Sequence, residues 1–243
     1  MNWTDEGIVL GTRRHGETSV ILEVMTREHG RHLGLVHGGR SRRLRPVLQT
    51  GNEVTVTWRA RLEEQLGLFQ VEPTRMRASL LMDSPLALYG IATLAHRLRA
   101  LPEREPFQSL YESLTHLIDH LPDPDLAPAL FVRFELELLA DLGFGLDLTA
   151  CAATGQQEDL VYVSPRTGRA VSAAAGLPYK DRLLKLPGFL TGRTQENRPK
   201  LEDIRAGLAL TEFFLHQNVF VERGEAPPEE RARFVALATA GDL

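Results

Sequence analysis

An α+β fold, a five-stranded β-barrel followed by a mainly α-helical domain, is predicted by three observations. The first 72 residues read as short strands with turn signals between them, with apolar and polar residues alternating at period two most clearly from Glu53 to Arg59. From Ser84 onward apolar residues recur at three- and four-residue steps, and Pro73 stands at the change. A chain of 243 residues can hold two modest domains with a core each, and the boundary falls near residue 80, giving a β-domain over 1–80 and a helical domain over 81–243.

The first strand runs from Glu6 to Arg13 and is closed by His15-Gly16. The second is Ser19 to Thr26, with Val20, Leu22 and Val24 on one face, and the third is Arg31 to His37. Thr50-Gly51-Asn52 turns the chain into the fourth, Glu53 to Arg59, where Val54, Val56 and Trp58 alternate with Glu53, Thr55, Thr57 and Arg59. Gln65 to Glu72 is the fifth, apolar on both faces around Leu66, Leu68, Phe69 and Val71, and Pro73 ends the strands. Five short antiparallel strands fit an OB-like barrel; an SH3-like barrel has a similar count.

Ser84 followed by Pro85 is a helix start, a hydroxyl N-cap with proline at the first helical position. Leu88, Ile91, Ala95 and Leu98 follow on one face, and Pro102 stops the helix. Phe107 to Leu121 carries a continuous apolar stripe, and Asp125 to Leu142 is a third helix capped by Gly143. Residues 151–187 read as an irregular hairpin insertion around Val161-Tyr162-Val163 and Pro165-Arg166-Thr167-Gly168. Its Ser172 to Gly176 stretch is too small-sided to form much core. A fourth helix follows Pro199, with Leu201, Ile204, Leu208 and Leu215 inward, and a fifth runs from Glu229 to Leu237.

The net charge of −4 hides an asymmetry: residues 1–80 carry twelve arginines and no lysine for a net +3, and residues 81–243 carry −7. Within the first part, Arg40, Arg42, Arg43 and Arg45 follow Gly38-Gly39 with no acid among them. Four like charges repel and cannot all be buried, so the segment is expected to be an exposed loop that meets a polyanion. Arg13 and Arg14 at the end of the first strand, Arg27 and Arg31 around the second turn, and Arg59 and Arg61 after the fourth strand complete the candidate nucleic-acid surface. The aromatic half of a single-strand site is thin, limited to Trp3, Trp58 and Phe69 with Trp58 facing the core, so phosphate contacts should dominate over stacking.

Enzyme chemistry finds no support: there is no Walker loop, no G-x-S-x-G elbow and no H-E-x-x-H helix. His29, His32 and His37 sit among arginines that repel a metal cation, and read as polar residues at strand ends. Cys151, the one cysteine, excludes an internal disulfide and has no histidine or lysine in sequence reach to activate it. No apolar segment of signal-peptide type opens the chain and no window reaches about 20 apolar residues, so a cytoplasmic protein without a membrane span is expected.

Two stretches resemble one known family. E-G-I-V-L-G-T-R-R-H-G-E-T-S-V-I-L-E-V-M-T-R-E-H-G-R, V-H-G-G-R-S and L-Q-T resemble the start of the RecO family of bacterial DNA-repair proteins, and Arg133 to Cys151, R-F-E-L-E-L-L-A-D-L-G-F-G-L-D-L-T-A-C, resembles its second signature. The resemblance implies an N-terminal OB-fold and a helical domain. It also implies a non-enzymatic recombination mediator that binds single- and double-stranded DNA, anneals complementary strands and helps load RecA onto DNA covered by single-stranded-DNA-binding protein. RecR, that protein's acidic C-terminal tail and RecF are the implied partners. A tail of this kind needs a cation beside an apolar slot, and Arg133 with Leu130 and Phe134 is the expected dock, Arg133 lying one turn from Glu137. Many family members carry four zinc-binding cysteines, whose first pair would fall at Cys151 and Thr154 and whose second near Ser172 and Ala175. Only Cys151 is a cysteine, so no zinc and no other cofactor is expected. The competing reading is a protein-interaction adaptor without direct DNA binding.

Overall fold

A computed structural model describes residues 1–192, 198–221, 223–224 and 228–240. The chain divides into two compact units, Met1–Pro122 and Asp123–Leu243. Strands give way to helices near residue 80, but the first unit continues through three helices to Pro122.

In the first unit β1 (Asn2–His15), β2 (Ser19–Thr26), β3 (Gly30–Val36), β4 (Glu53–Arg59) and β5 (Leu68–Arg75) close into a barrel of order β1-β2-β3-β5-β4. Closure is possible because β1 serves two neighbours. Its first half pairs β4 from Asn2↔Arg59 to Ile8↔Glu53, and its second half pairs β2 from Gly7↔Thr26 to His15↔Ser19. A register shift between Val9 and Gly11 bends the strand at the handover and leaves the extra residue, Leu10, buried. β3 meets β5 in parallel at Leu35↔Leu68, the one parallel seam of the barrel.

The alternation in β4 is realised: Val54, Val56 and Trp58 are buried, with Val9, Leu22, Val24, Phe69 and Val71 around them. Two expectations fail here. Pro73 does not end β5 but lies within it opposite Val54, beside a register shift where a missing N–H interrupts no regular ladder. Nor is this strand apolar on both faces: Phe69 and Val71 turn inward, while Leu68 is exposed and Leu66 belongs to the preceding loop. Gly34 is required by this packing, since a Cβ there would lie 2.3 Å from the Phe69 ring.

α2 (Ala78–Asp83), α3 (Pro85–Leu98) and α4 (Gln108–His120) complete the unit. Ser84 caps α3 by accepting the Ala87 N–H at 3.3 Å, with Pro85 in the first turn. Buried Arg77 joins β4 to α4 through Glu53 at 2.8 Å and Asp119 at 2.7 Å. Asn52, fully buried, donates to the carbonyls of Pro46 and Val47 and accepts the Ala78 N–H, tying the basic segment to α2.

His32 is not at a polar strand end but 2 % exposed among Trp3, Trp58 and Phe69. Its Nδ1 must carry the proton, because its partner at 2.9 Å is the Leu33 carbonyl, which can only accept. Burial drives its pKa down from 6.5 to about 4, against the Leu33 carbonyl and with help from Arg104 and His29. A folded pKa below the unfolded one means that this share of stability is complete above pH 6.5 and is lost as pH falls toward 4. The loss should approach roughly 3 kcal/mol. Unfolding free energies measured between pH 7 and pH 4 should fall less steeply in His32→Phe; parallel slopes would refute the assignment.

In the second unit α5 (Ala127–Asp141) packs against α7 (Leu201–Leu215), closely enough that a Cβ on Gly207 would lie 3.1 Å from Val132. α5 ends in a Schellman motif: Gly143 has φ +86°, its N–H reaches Ala140 and the Phe144 N–H reaches Leu139. The insertion is a three-stranded sheet, β7-β6-β8, of β6 (Leu160–Val163), β7 (Ala170–Ser172) and β8 (Leu184–Lys185), with α6 (Ala173–Gly176) and a 3-10 turn at Leu177–Arg182 between the last two. The small-sided stretch thus forms a short helix and β8 is additional to the expected hairpin. α8 (Glu229–Ala238) docks through Phe234, stacked on Phe131 at 4.1 Å, and through buried Arg231. Among the described residues no helix is long and apolar enough to cross a membrane.

Candidate nucleic-acid interface

The arginine segment is a structured projection. Gly38 adopts φ +65°, and Gly39 passes so close to β2 that a Cβ would lie 2.5 Å from Val20. The Arg40 N–H donates to the Thr18 carbonyl at 3.0 Å, and the Ser41 N–H to the Gly38 carbonyl at 2.9 Å. A single helical turn, α1 (Leu44–Val47), follows, so the segment is not wholly a loop. Val47 and Leu48 enter the barrel core and leave Arg40, Arg42, Arg43 and Arg45 facing solvent. The arginines are therefore held outward by apolar anchors that follow them directly in the chain.

A cleft of about 360 Å³ opens beside this turn, with Val20, Gly39 and Leu48 in its lining, Thr12 and Gln49 as hydrogen-bonding groups, and Arg14, Arg40 and Arg45 as its charges. No acid lines it. Arg14, Arg42, Arg43 and Arg45 make no ion pair among the described residues, and the Arg40 guanidinium donates to the Glu17 backbone carbonyl and not to a carboxylate, which leaves its charge uncompensated. A concave wall of one sign over low-dielectric surface focuses the field on an incoming anion. Thr12 and Gln49 were not among the expected contact residues, although both lie in the stretches that resemble the family, and the Gln49 side chain, four residues beyond Arg45, donates to its carbonyl at 2.8 Å.

The remaining expected arginines are elsewhere. Arg13 points to the other face of β1, lining a cleft of about 240 Å³ that contains Glu23 and Arg99. Arg31 is buried and bonded to Glu23 at 2.9 Å, Glu103 at 3.5 Å and the Leu101 carbonyl, so its guanidinium is committed inside the protein. Arg27 is shared between Glu6 and Glu112 and lies over the Tyr111 ring. Arg59 and Arg61 are exposed, but Arg59 pairs with Asn2 at the opposite end of β1 from Arg14. The aromatic residues face one another: Trp3 stacks on His29 at 4.0 Å and on Trp58 at 5.7 Å.

The comparisons with known proteins agree with this architecture. The family model described as "Recombination protein O N terminal" matches residues 1–77, and "Recombination protein O C terminal" matches residues 86–225. The chain belongs to the RecO family of DNA repair proteins. "DNA repair protein RecO" of Methylobacterium nodulans is 63% identical over 99% of both chains. That of Methylorubrum populi is 61% identical over 98% of this chain and 99% of its own, and that of Chelativorans sp. is 56% identical over 97% and 95%. The RecO N-terminal match covers the whole barrel with its arginine cleft, whereas the C-terminal match stops before α8.

Of the four positions where the resemblance led zinc ligands to be expected, Cys151, Thr154 and Ser172 lie together, and only the first is a thiol. Cys151 is buried, 3.4 Å from the Ser172 hydroxyl and accepting the Ser172 N–H at 3.3 Å. Burial raises its pKa, but hydrogen bonds from the Ser172 and Thr154 side chains and the Ser172 and Ala153 backbone outweigh that and bring it to about 6. One thiol with hydroxyls does not fit a zinc site built from four thiolates, and hydrogen bonds join these positions instead. A chelator should therefore leave the thermal midpoint unchanged and the purified protein should carry no stoichiometric zinc; one zinc per chain by elemental analysis would overturn this.

The expected tail dock around Arg133 is only partly assembled. Arg133 is exposed and donates through Nη2 to the Phe189 carbonyl at 3.2 Å, but Phe134 is 2 % exposed in the core. Leu130 is half-buried.

Proposed function

We propose that the Arg14–Arg40–Arg45 cleft, with Arg42 and Arg43 on its rim, binds the phosphate backbone of single- and double-stranded DNA, and that the protein is a non-enzymatic recombination mediator. The observation that carries this reading is the uncompensated arginine cleft on a RecO-type barrel. Phosphate contacts hold a strand without reading its bases, as a protein that handles any damaged sequence requires. Neutralising two strands' phosphates also lowers their mutual repulsion, the physical basis for annealing complementary strands. The cleft lining offers no carboxylate, histidine or thiol to serve as base or nucleophile. Arg13, Arg59 and Arg61 are auxiliary contacts, and Arg27 and Arg31 are structural.

In this reading the protein acts in the cytoplasm with RecR, RecF and the single-stranded-DNA-binding protein to load RecA. Docking of an acidic tail at Arg133 rests on that cation and Leu130. The deciding experiment is binding of labelled oligonucleotide across a salt series with the cleft arginines removed; binding that ignores both salt and these arginines would favour the adaptor reading.

A further inference from the structure

The second unit spends two large apolar side chains on solvent in one short turn. Leu177 is 65 % and Tyr179 60 % exposed in the 3-10 turn Leu177–Arg182, which also carries exposed Lys180 and Arg182. The turn is fastened at both ends. Gly176 lies against the Tyr162 ring, where a Cβ would come within 2.5 Å, and the chain then enters β8, paired to β6 at Val163↔Leu184. That pairing brings Arg182 to the same end of the sheet as the β6–β7 turn with exposed Arg166. Lys180, Arg182 and Arg166 make no ion pair among the described residues, and Asp181 is the one acid in the turn.

We propose that this turn is a second contact for single-stranded nucleic acid, in which Tyr179 stacks on a base while Lys180, Arg182 and Arg166 hold the flanking phosphates. The proposal rests on the DNA-binding reading above and adds the stacking element that the barrel lacks. Aromatic platforms beside cations suit a flexible single strand of any sequence, because every base presents a face. An acidic peptide with an apolar end would need a slot, but Tyr179 and Leu177 project outward, and in the neighbouring cleft bounded by Val161 the carboxylates of Glu202 and Asp203 outnumber the one cation, Lys185, so the cleft does not favour such a peptide.

The test uses the full chain, with oligo-dT as probe. Tyr179→Ala should weaken binding about five- to tenfold, with Tyr179→Phe near wild type. Joint replacement of Lys180 and Arg182 by alanine should reduce the log-log salt slope by roughly 1.4. Tyr179→Trp, which keeps an aromatic platform, should show emission quenched on adding oligo-dT. Unchanged affinity and slope with no quenching would overturn the proposal, as would loss of binding to an acidic peptide with a free apolar C-terminus while oligo-dT binding is kept. Loss of binding on neutralising the barrel cleft but not this turn would reject the turn and leave the proposed function standing. Loss on altering the turn alone would reject the barrel cleft instead.

Discussion

Replacing Arg14, Arg40, Arg42, Arg43 and Arg45 together with alanine should weaken binding of a single-stranded oligonucleotide by about a hundredfold or more at low salt and flatten its salt dependence. Each phosphate neutralised on a single strand contributes roughly 0.7 to the log-log slope, so five lost contacts remove about 3.5. The folded state should be untouched, because these side chains are exposed and the apolar residues that hold their turn, Val47 and Leu48, remain. Arg31→Ala supplies the contrast. Its guanidinium sits between Glu23 and Glu103, so its loss should lower the thermal midpoint and leave the salt slope alone. Anisotropy titrations from low to high salt, with circular dichroism as the folding control, separate the two. A fivefold variant with wild-type affinity and slope would remove the cleft from the account.

The second large effect concerns stability. Arg231 on α8 and Glu135 on α5 are both nearly inaccessible and meet at 2.9 Å; Arg231 also reaches Glu212 at 3.2 Å, and the Thr211 hydroxyl donates to Glu135 at 2.6 Å. Arg231→Ala should destabilise the protein by ~3–5 kcal/mol, because Glu135 stays in the interior without its main counter-charge. That is a large part of the stability of an ordinary domain. The double replacement Glu135→Leu with Arg231→Met should recover much of the loss, since two buried charges are then removed together. Denaturant unfolding of the three variants checks it; a double variant no better than the single one would show that hydrogen bonding, not unpaired charge, sets the cost.

Local patterns made much of the chain legible. The two-residue alternation from Glu53 to Arg59 places every side chain of β4 correctly, because an inward face admits only apolar residues. Ser84-Pro85 marks the start of α3 and Gly143 the end of α5, because capping chemistry acts over three or four neighbours. Pro73 misled for the complementary reason: its effect depends on the register of the strand it faces, and the irregularity opposite it is a property of the pair.

The run of charge between Arg40 and Arg45, the single cysteine and the two family signatures were decided by the sequence alone, and with them the barrel, the helical domain and the basic surface. Which arginines form that surface was decided only by the tertiary structure. Arg31 and Arg40 are nine positions apart and look alike in sequence, yet one is closed between Glu23 and Glu103 and the other borders a cleft with Arg14 and Arg45. Burial and charge compensation depend on partners tens of residues away, such as Glu103, so a local reading can count the charges of a loop but cannot say which have been neutralised by the fold.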